Sequence, residues 1–229
     1  MHTEWLQIYR YHTRRKAGLF IFQHGSSGLR MFAQLLTMDL LNPQKGSGIP
    51  LSSGKLLIAE PFLGDPNFSR SVILLCEYGE EGSVGFSLNH QSEYTLGDLI
   101  PEAFGAGLPV YYGGPVSTDT LHMLHQNPEI LGGIEVFEGL YWGGNFETLQ
   151  TLLSQNPDPD FALRLFVGYA GWGSKQLDQE IEEGSWLIAN PSAELVFNID
   201  PKDAWKEAID SLGSGFAHLK NMPIDPQLN

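Results

Sequence analysis

Residues 55–89, KLLIAEPFLGDPNFSRSVILLCEYGEEGSVGFSLN, constrain the fold more than any other stretch of the chain. Leu56, Leu57, Ile58 and Ala59 form a continuous apolar run, and the segment stops at the turn signal Gly64-Asp65-Pro66. Val72 to Cys76 is a second apolar run, bounded by Ser71 and Glu77. A run so short and uniform suits a strand buried on both faces. Past the loop Gly79-Glu80-Glu81-Gly82-Ser83, Val84, Phe86 and Leu88 alternate with Gly85, Ser87 and Asn89. That alternation predicts a half-buried strand, joined to the previous one as a hairpin. Small Gly85 and Ser87 predict close approach of another element on their face.

The rest of the chain supplies short elements separated by turns. Thr95-x-x-Asp98 predicts a helix start of the capping-box type, limited by Pro101. Strands are expected at 109–112, 120–125, 134–142 and 161–169, and at 186–189 and 194–198 around Asn190-Pro191-Ser192. Asn145 caps a helix presenting Phe146, Leu149 and Leu153, and Ser174 caps an acidic helix with Leu177 and Ile181 inward. Asp200 and Pro201 open a helix whose Ala204, Trp205, Ala208, Ile209 and Leu212 share one face before Gly213. Strands in groups, a leading hairpin and interspersed capped helices together imply α+β, with a mixed, largely antiparallel sheet.

The N-terminal part reads differently. Residues 1–45 hold six basic residues against two acidic ones, a local +4 that leaves −18 on the remainder of a chain whose total is −14. Arg14-Arg15-Lys16 followed by Ala17 to Phe22 resembles the start of a secretory signal, but the apolar part is too short. Residues 1–41 are read as a disordered basic extension or as the product of a start site placed upstream of Met31 or Met38, the second being preferred. Residues 42–54 are a linker by composition, with eight of thirteen being Pro, Gly or Ser. The domain is expected at 55–213, and 214–229 read as a frayed tail.

An acidic body repels phosphate backbones, so direct nucleic-acid binding by the body is disfavoured. The lone Cys76 sits inside an apolar run and reads as a small core residue, which fits a cytoplasmic address. No apolar run approaches the length of a membrane span.

Motifs for chemistry are few. The chain has no Gly-x-Ser-x-Gly pentad. Gly48 to Lys55 fails as a phosphate loop, because five residues lie between its glycines, Leu56 stands where a hydroxyl is needed, and a strand follows. Asp119, His122 and His125 have helical spacing for a metal, but on a strand the two histidines point to opposite faces. No metal, cofactor or catalytic residue is therefore assigned. The acidic groups Glu135/Glu138 and Asp178/Glu180/Glu182/Glu183 read as solvated faces. Asp65, Arg70 and Asn89 read as turn and edge residues holding the hairpin.

The segment most suggestive of a ligand is Gly168-Tyr169-Ala170-Gly171-Trp172-Gly173-Ser174-Lys175. A strand, a glycine-rich crossing and a helix N-terminus beside a lysine can build an anion site. The same glycines serve equally well to turn the chain and let Trp172 lie under the helix. Candidate ligand-binding residues are thus Gly171, Gly173, Ser174 and Lys175, with Gly113 and Gly114 of the Gly113-Gly114-Pro115 turn.

These stretches, with YGGPV at 112–116, LH at 124–125, GYAGW at 168–172, QLDQEIEEGSW at 176–186 and DAW at 203–205, resemble the AlgH/YqgE family over residues 55–212. The chain departs from the family pattern at His90-Gln91, where a basic residue and a proline are usual, and at His122. The resemblance implies bacterial cytosolic proteins of α+β fold with no established activity or agreed catalytic residues, some labelled transcriptional regulators.

Three functions follow as expectations. The first is a non-enzymatic cytosolic domain binding an unidentified protein or small molecule, with an indirect role in regulation. The second is an enzyme holding a small anionic substrate at Gly168–Lys175. The third is DNA binding through the basic N-terminus.

Overall fold

The computed structural model describes residues 48–223. The basic extension, the first part of the linker-like stretch and residues 224–229 lie outside the described residues. Ten strands follow in chain order: β1 (Leu56–Ala59), β2 (Val72–Gly79), β3 (Gly82–Ser87), β4 (Gln91–Thr95), β5 (Pro109–Tyr112), β6 (Val116–His125), β7 (Ile134–Phe137), β8 (Leu140–Trp142), β9 (Leu163–Gly173) and β10 (Trp186–Ala189). Between them lie the helices α1 (Leu96–Leu99), α2 (Pro128–Leu131), α3 (Phe146–Gln155) and α4 (Gln176–Glu182). A π-helical turn (Glu194–Asn198), α5 (Pro201–Ser211) and a 3-10 helix (Ser214–Asn221) complete the described chain.

The fold is α+β, with one sheet in the order β10-β1-β2-β3-β9-β6-β8-β7. Its pairings are antiparallel except where β5, itself paired to β4, lies parallel to the first half of β9. The leading hairpin forms as the alternation requires, with Gly79 opposite Gly82. Its small face is covered as well, because a Cβ on Gly85 would stand 2.7 Å from the Ile73 side chain. The third strand is therefore buried on both faces rather than half-buried.

Three apolar layers result. The inner one gathers Leu56, Ile58, Leu74, Phe86, Phe166 and α5's Trp205. On the outer face α4 sets Leu177 and Ile181 against Leu57, Ile73, Leu75, Trp172 and Trp186. Further along that face α3 sets Leu149 and Leu153 against Val110, Met123 and Leu165. The sheet curls enough that a Cβ on Gly54 would stand 2.4 Å from the carbonyl oxygen of Val136, in β7. Ile49 and Leu51, from the stretch read as linker, pack on the α4 layer.

Strand β9 serves two layers through one residue. Leu165 and Val167 face the α3 layer while Phe166 faces inward; past Gly168, Tyr169 faces inward and Ala170 and Trp172 face α4. The alternation slips by one at Gly168, whose φ of +64° is open to glycine without strain. Sequence periodicity ended this strand at Tyr169; the structure carries it to Gly173.

Other expectations are corrected. Residues 134–142 form a hairpin rather than one strand, turning at Gly139 with φ of +74°. Residues 194–198 form a π-helical turn rather than a strand. There the Ser192 hydroxyl accepts from the Leu195 amide at 3.2 Å, and the Ile199 amide reaches back to the Glu194 carbonyl at 3.1 Å. Ser174 does not cap α4: Lys175 holds that position with φ of 58° and makes no side-chain cap bond. Beyond Gly213 the chain does not fray at once, because Leu219 is buried and Lys220 pairs with Asp210 at 2.5 Å.

Candidate functional site

Buried Ser71, Ser87 and Arg164 and half-buried Arg70, Asn89 and His90 gather where β3 ends. The β1–β2 connection finishes at Arg70, a non-glycine residue at φ 52°. Asn89, just past β3, holds it there: Asn89 Nδ2 donates to the Arg70 carbonyl at 2.9 Å, and Asn89 Oδ1 accepts from the Val72 amide at 2.8 Å. Arg70 and Asn89 thus do hold the hairpin. Asp65 stands apart, its carboxylate accepting from the Asn67 amide at 2.9 Å. Ser71 is fully buried, with its hydroxyl 3.3 Å from His90 Nε2. The His90 carbonyl accepts from the Tyr112 amide at 2.7 Å, which ties the cluster to β5.

Two arginines are anchored at this exit, Arg164 through its guanidinium and Arg70 through its backbone carbonyl. Arg164 of β9 is 5% exposed; its Nη1 donates to the Leu88 carbonyl at 2.9 Å and its Nη2 to the Phe197 carbonyl at 3.3 Å. Its plane lies over Tyr111, 4.3 Å from the ring centre. Arg70 lies over Trp205 at 4.6 Å and donates from Nη2 to the Met222 carbonyl. Arg70 Nε is buried and has no hydrogen-bond acceptor among the described residues. Nor does either arginine pair with a carboxylate among them; the ion pairs there are Lys202–Asp200 and Lys220–Asp210.

Burial pushes the Arg164 pKa down, and the Tyr111 hydroxyl opposes the shift. Burial likewise lowers His90, against a backbone hydrogen bond at Ser69. A hydroxyl beside an imidazole invites a nucleophile reading. Here the hydroxyl belongs to a fully buried serine, and the imidazole's other partner is backbone rather than a carboxylate.

Of the candidate glycines, Gly113 adjoins this cluster, its carbonyl accepting from the Ser87 amide at 2.9 Å, while Gly171 and Gly173 lie farther along β9. Gly113 and Gly114 press on β9: a Cβ on Gly113 would stand 2.3 Å from the Gly168 oxygen, and one on Gly114 2.3 Å from the Ala170 nitrogen. Their space is filled by backbone. Gly171 pairs with Val84 inside the sheet, and Gly173 pairs with Gly82 while its amide donates to Gln176 Oε1 at 3.0 Å. Ser174 and Lys175 are exposed at the far end of β9. The Gly113-Gly114 turn thus packs against β9 at Gly168–Ala170, while Gly171 and Gly173 belong to the strand itself.

His122 and His125 take opposite faces of β6. His122 packs on Phe86, Tyr169 and Trp142, with Nε2 2.9 Å from the Thr120 hydroxyl. His125 Nε2 lies 3.0 Å from the Gly143 carbonyl, and its Nδ1 accepts from the Asn127 amide at 3.1 Å. Among the described residues no three of His, Cys, Asp and Glu gather as a metal would require.

Part of the acidic face is not simply solvated. Glu180 binds two tryptophans, and Asp178 accepts from the Tyr78 hydroxyl at 2.6 Å, raising that phenol's pKa. Sequence reasoning missed Arg164, Ser71, Tyr111 and His90. One signal was present, a single arginine inside the apolar run Leu163-Arg164-Leu165-Phe166-Val167.

Comparison with known proteins places the chain in a family. The AlgH-like family profile, DUF179, matches residues 56–217. A UPF0301 protein of Cytophaga hutchinsonii is 41% identical over 181 residues, covering 78% of this chain and 100% of the relative. One of Bacteroides thetaiotaomicron is 40% identical over 192 residues, covering 83% of this chain and 97% of the relative. Among solved structures, the AlgH protein of Pseudomonas aeruginosa aligns with a TM-score of 0.61 at 27% identity, covering 76% of this chain and 98% of that one. Protein DIP2367 of Corynebacterium diphtheriae shares the fold, with a TM-score of 0.64 at 23% identity over 76% of this chain and 94% of that one. The profile match and the curated relatives assign the chain: it belongs to the AlgH-like family.

Proposed function

We propose that this protein is a non-enzymatic binding domain of the cytoplasm that takes a small ligand at the Arg70–Asn89–Arg164 cluster. Any influence on transcription passes through that ligand or a protein partner. The observation that supports this reading is Arg70 itself. A side chain held at positive φ costs about 1 kcal/mol or more, and a buried donor without an acceptor costs about 1–3 kcal/mol. Such features concentrate where a ligand is clamped. Direct DNA reading by the body is disfavoured by its −18 charge. No helix among the described residues is long and apolar enough to cross a membrane.

The test is co-purification of the full chain from cell extract, with mass spectrometry of bound small molecules and proteins. Nitrogen-15 spectra are then recorded with whatever is recovered. Shifts are expected at Arg70, Val72, Asn89 and Arg164, and weaker binding in Asn89→Ala. Shifts confined to Gly171–Lys175, abolished by Lys175→Ala, would move the site to the glycine crossing and discard this one. Steeply salt-dependent DNA binding that disappears on deleting residues 1–41 would favour the N-terminal reading instead.

A further inference from the structure

We infer that the ligand is a small oxyanion, a carboxylate or phosphate group held jointly by Arg164 and Arg70; this rests on the binding reading above. The argument begins with charge. Arginine does not deprotonate in proteins, so burial cannot neutralise Arg164 as it neutralises a lysine or histidine. Its 5% exposure leaves little solvent to screen the charge. Two backbone carbonyls and the face of Tyr111 supply dipoles but no countercharge.

Arg70 adds a second full charge, on a residue whose backbone carbonyl is held by Asn89, next to Leu88. Arg164 Nη1 is fixed to the Leu88 carbonyl, while the Arg70 backbone is fixed to the Asn89 side chain. Arg70 Nη2 is taken by the Met222 carbonyl, and the buried Nε–H beside it is unused among the described residues. Carboxylate and phosphate oxygens are the acceptors that a guanidinium fork binds best.

What surrounds the pair is equally selective. Among residues 48–223 no aspartate or glutamate pairs with either arginine. The contacts are carbonyls, the Asn89 amide and the rings of Tyr111 and Trp205. A cation would be repelled there. A polyanion such as nucleic acid would meet the acidic body, whereas a small anion feels mainly the two arginines.

The test titrates the full-length chain with sodium phosphate and, separately, sodium succinate, against sodium chloride at matched ionic strength. Thermal midpoint and the arginine Nε–Hε resonances are followed. A saturable rise in midpoint with phosphate or succinate is expected, with both Arg70 and Arg164 resonances shifting. Response to phosphate alone marks a phosphoryl ligand, and response to succinate alone a carboxylate. Arg70→Met, at the half-buried position, is expected to weaken binding about tenfold or more. Arg164→Met removes the buried charge; it should fold at least as well without added anion, yet bind as weakly.

Equal affinity in wild type and both variants, or no saturable response to either anion, overturns the oxyanion assignment. A neutral or cationic molecule recovered from extract that shifts Arg70 and Asn89 overturns it too, while leaving the binding reading intact. Recovery of no ligand together with no anion response removes both.

Discussion

Trp172 and Trp186 stand edge to face, ring centres 6.0 Å apart, and give their indole N–H groups to a single oxygen, Glu180 Oε2, at 2.9 Å each. One tryptophan comes from β9 and the other from β10, so the carboxylate fastens α4 across two distant strands. Glu180→Ala would leave two largely buried donors without an acceptor. A loss of about 2–4 kcal/mol is expected in urea unfolding followed by tryptophan fluorescence. A loss below about 0.5 kcal/mol would return Glu180 to the solvated face that the sequence suggested.

Gly168→Ala tests the residue on which the two outer layers depend. Its φ is +64°, and an added Cβ would stand 2.5 Å from the Gly114 oxygen and 2.9 Å from that of Val116. Backbone on both sides cannot move aside cheaply. The variant should lose more than about 3 kcal/mol or fail to fold, measured by chemical denaturation. Gly215→Ala, with open space around the position, serves as the silent control.

His125 gives a pH dependence with a defined sign. The ring is fully buried, and burial lowers its pKa from 6.5, against the bond to the Gly143 carbonyl. Geometry acts in the same direction as burial, because the Asn127 amide points at Nδ1 and leaves no place for a second proton there. Between the lowered folded value and the ordinary unfolded one, the unfolded chain binds more protons. The contribution is therefore complete above the unfolded pKa and is lost as pH falls through the folded one. Thermal midpoints should drop between about pH 7 and about pH 5, and less so in His125→Gln. An identical drop in the variant would assign the effect elsewhere, with His90 and His122 next to examine, since burial lowers both.

Cys76 should be chemically silent in the native protein. It is 5% exposed, and burial raises its pKa well above the ordinary thiol value. A thiol reagent such as dithionitrobenzoate should label it only in denaturant, at the rate of global unfolding. Prompt labelling of the folded chain would show that β2 opens locally.

Much of this was legible before any coordinates. The five-residue run Val72–Cys76 reads as a strand buried on both faces because no polar residue interrupts it, and Ile73 and Leu74 do enter different layers. The helix starts at Asn145 and Asp200 were equally plain: Asn145 Oδ1 accepts from the Thr148 amide at 2.8 Å and Asp200 Oδ1 from Lys202 at 3.1 Å. Such features are local, written in neighbouring residues and in a period of two or of 3.6.

The candidate site was not legible, for a physical reason. Arg70, Asn89 and Arg164 are 19 and 76 residues removed from the groups they hold, and only strand pairing brings them together. The same is true of Gly168, whose single backbone angle slips the alternation by one and redirects the strand from one layer to another. Local pattern decided which segments of this chain become strands and helices. Where a buried charge ends up without a countercharge is a property of packing, because it depends on what the remote chain fails to bring near.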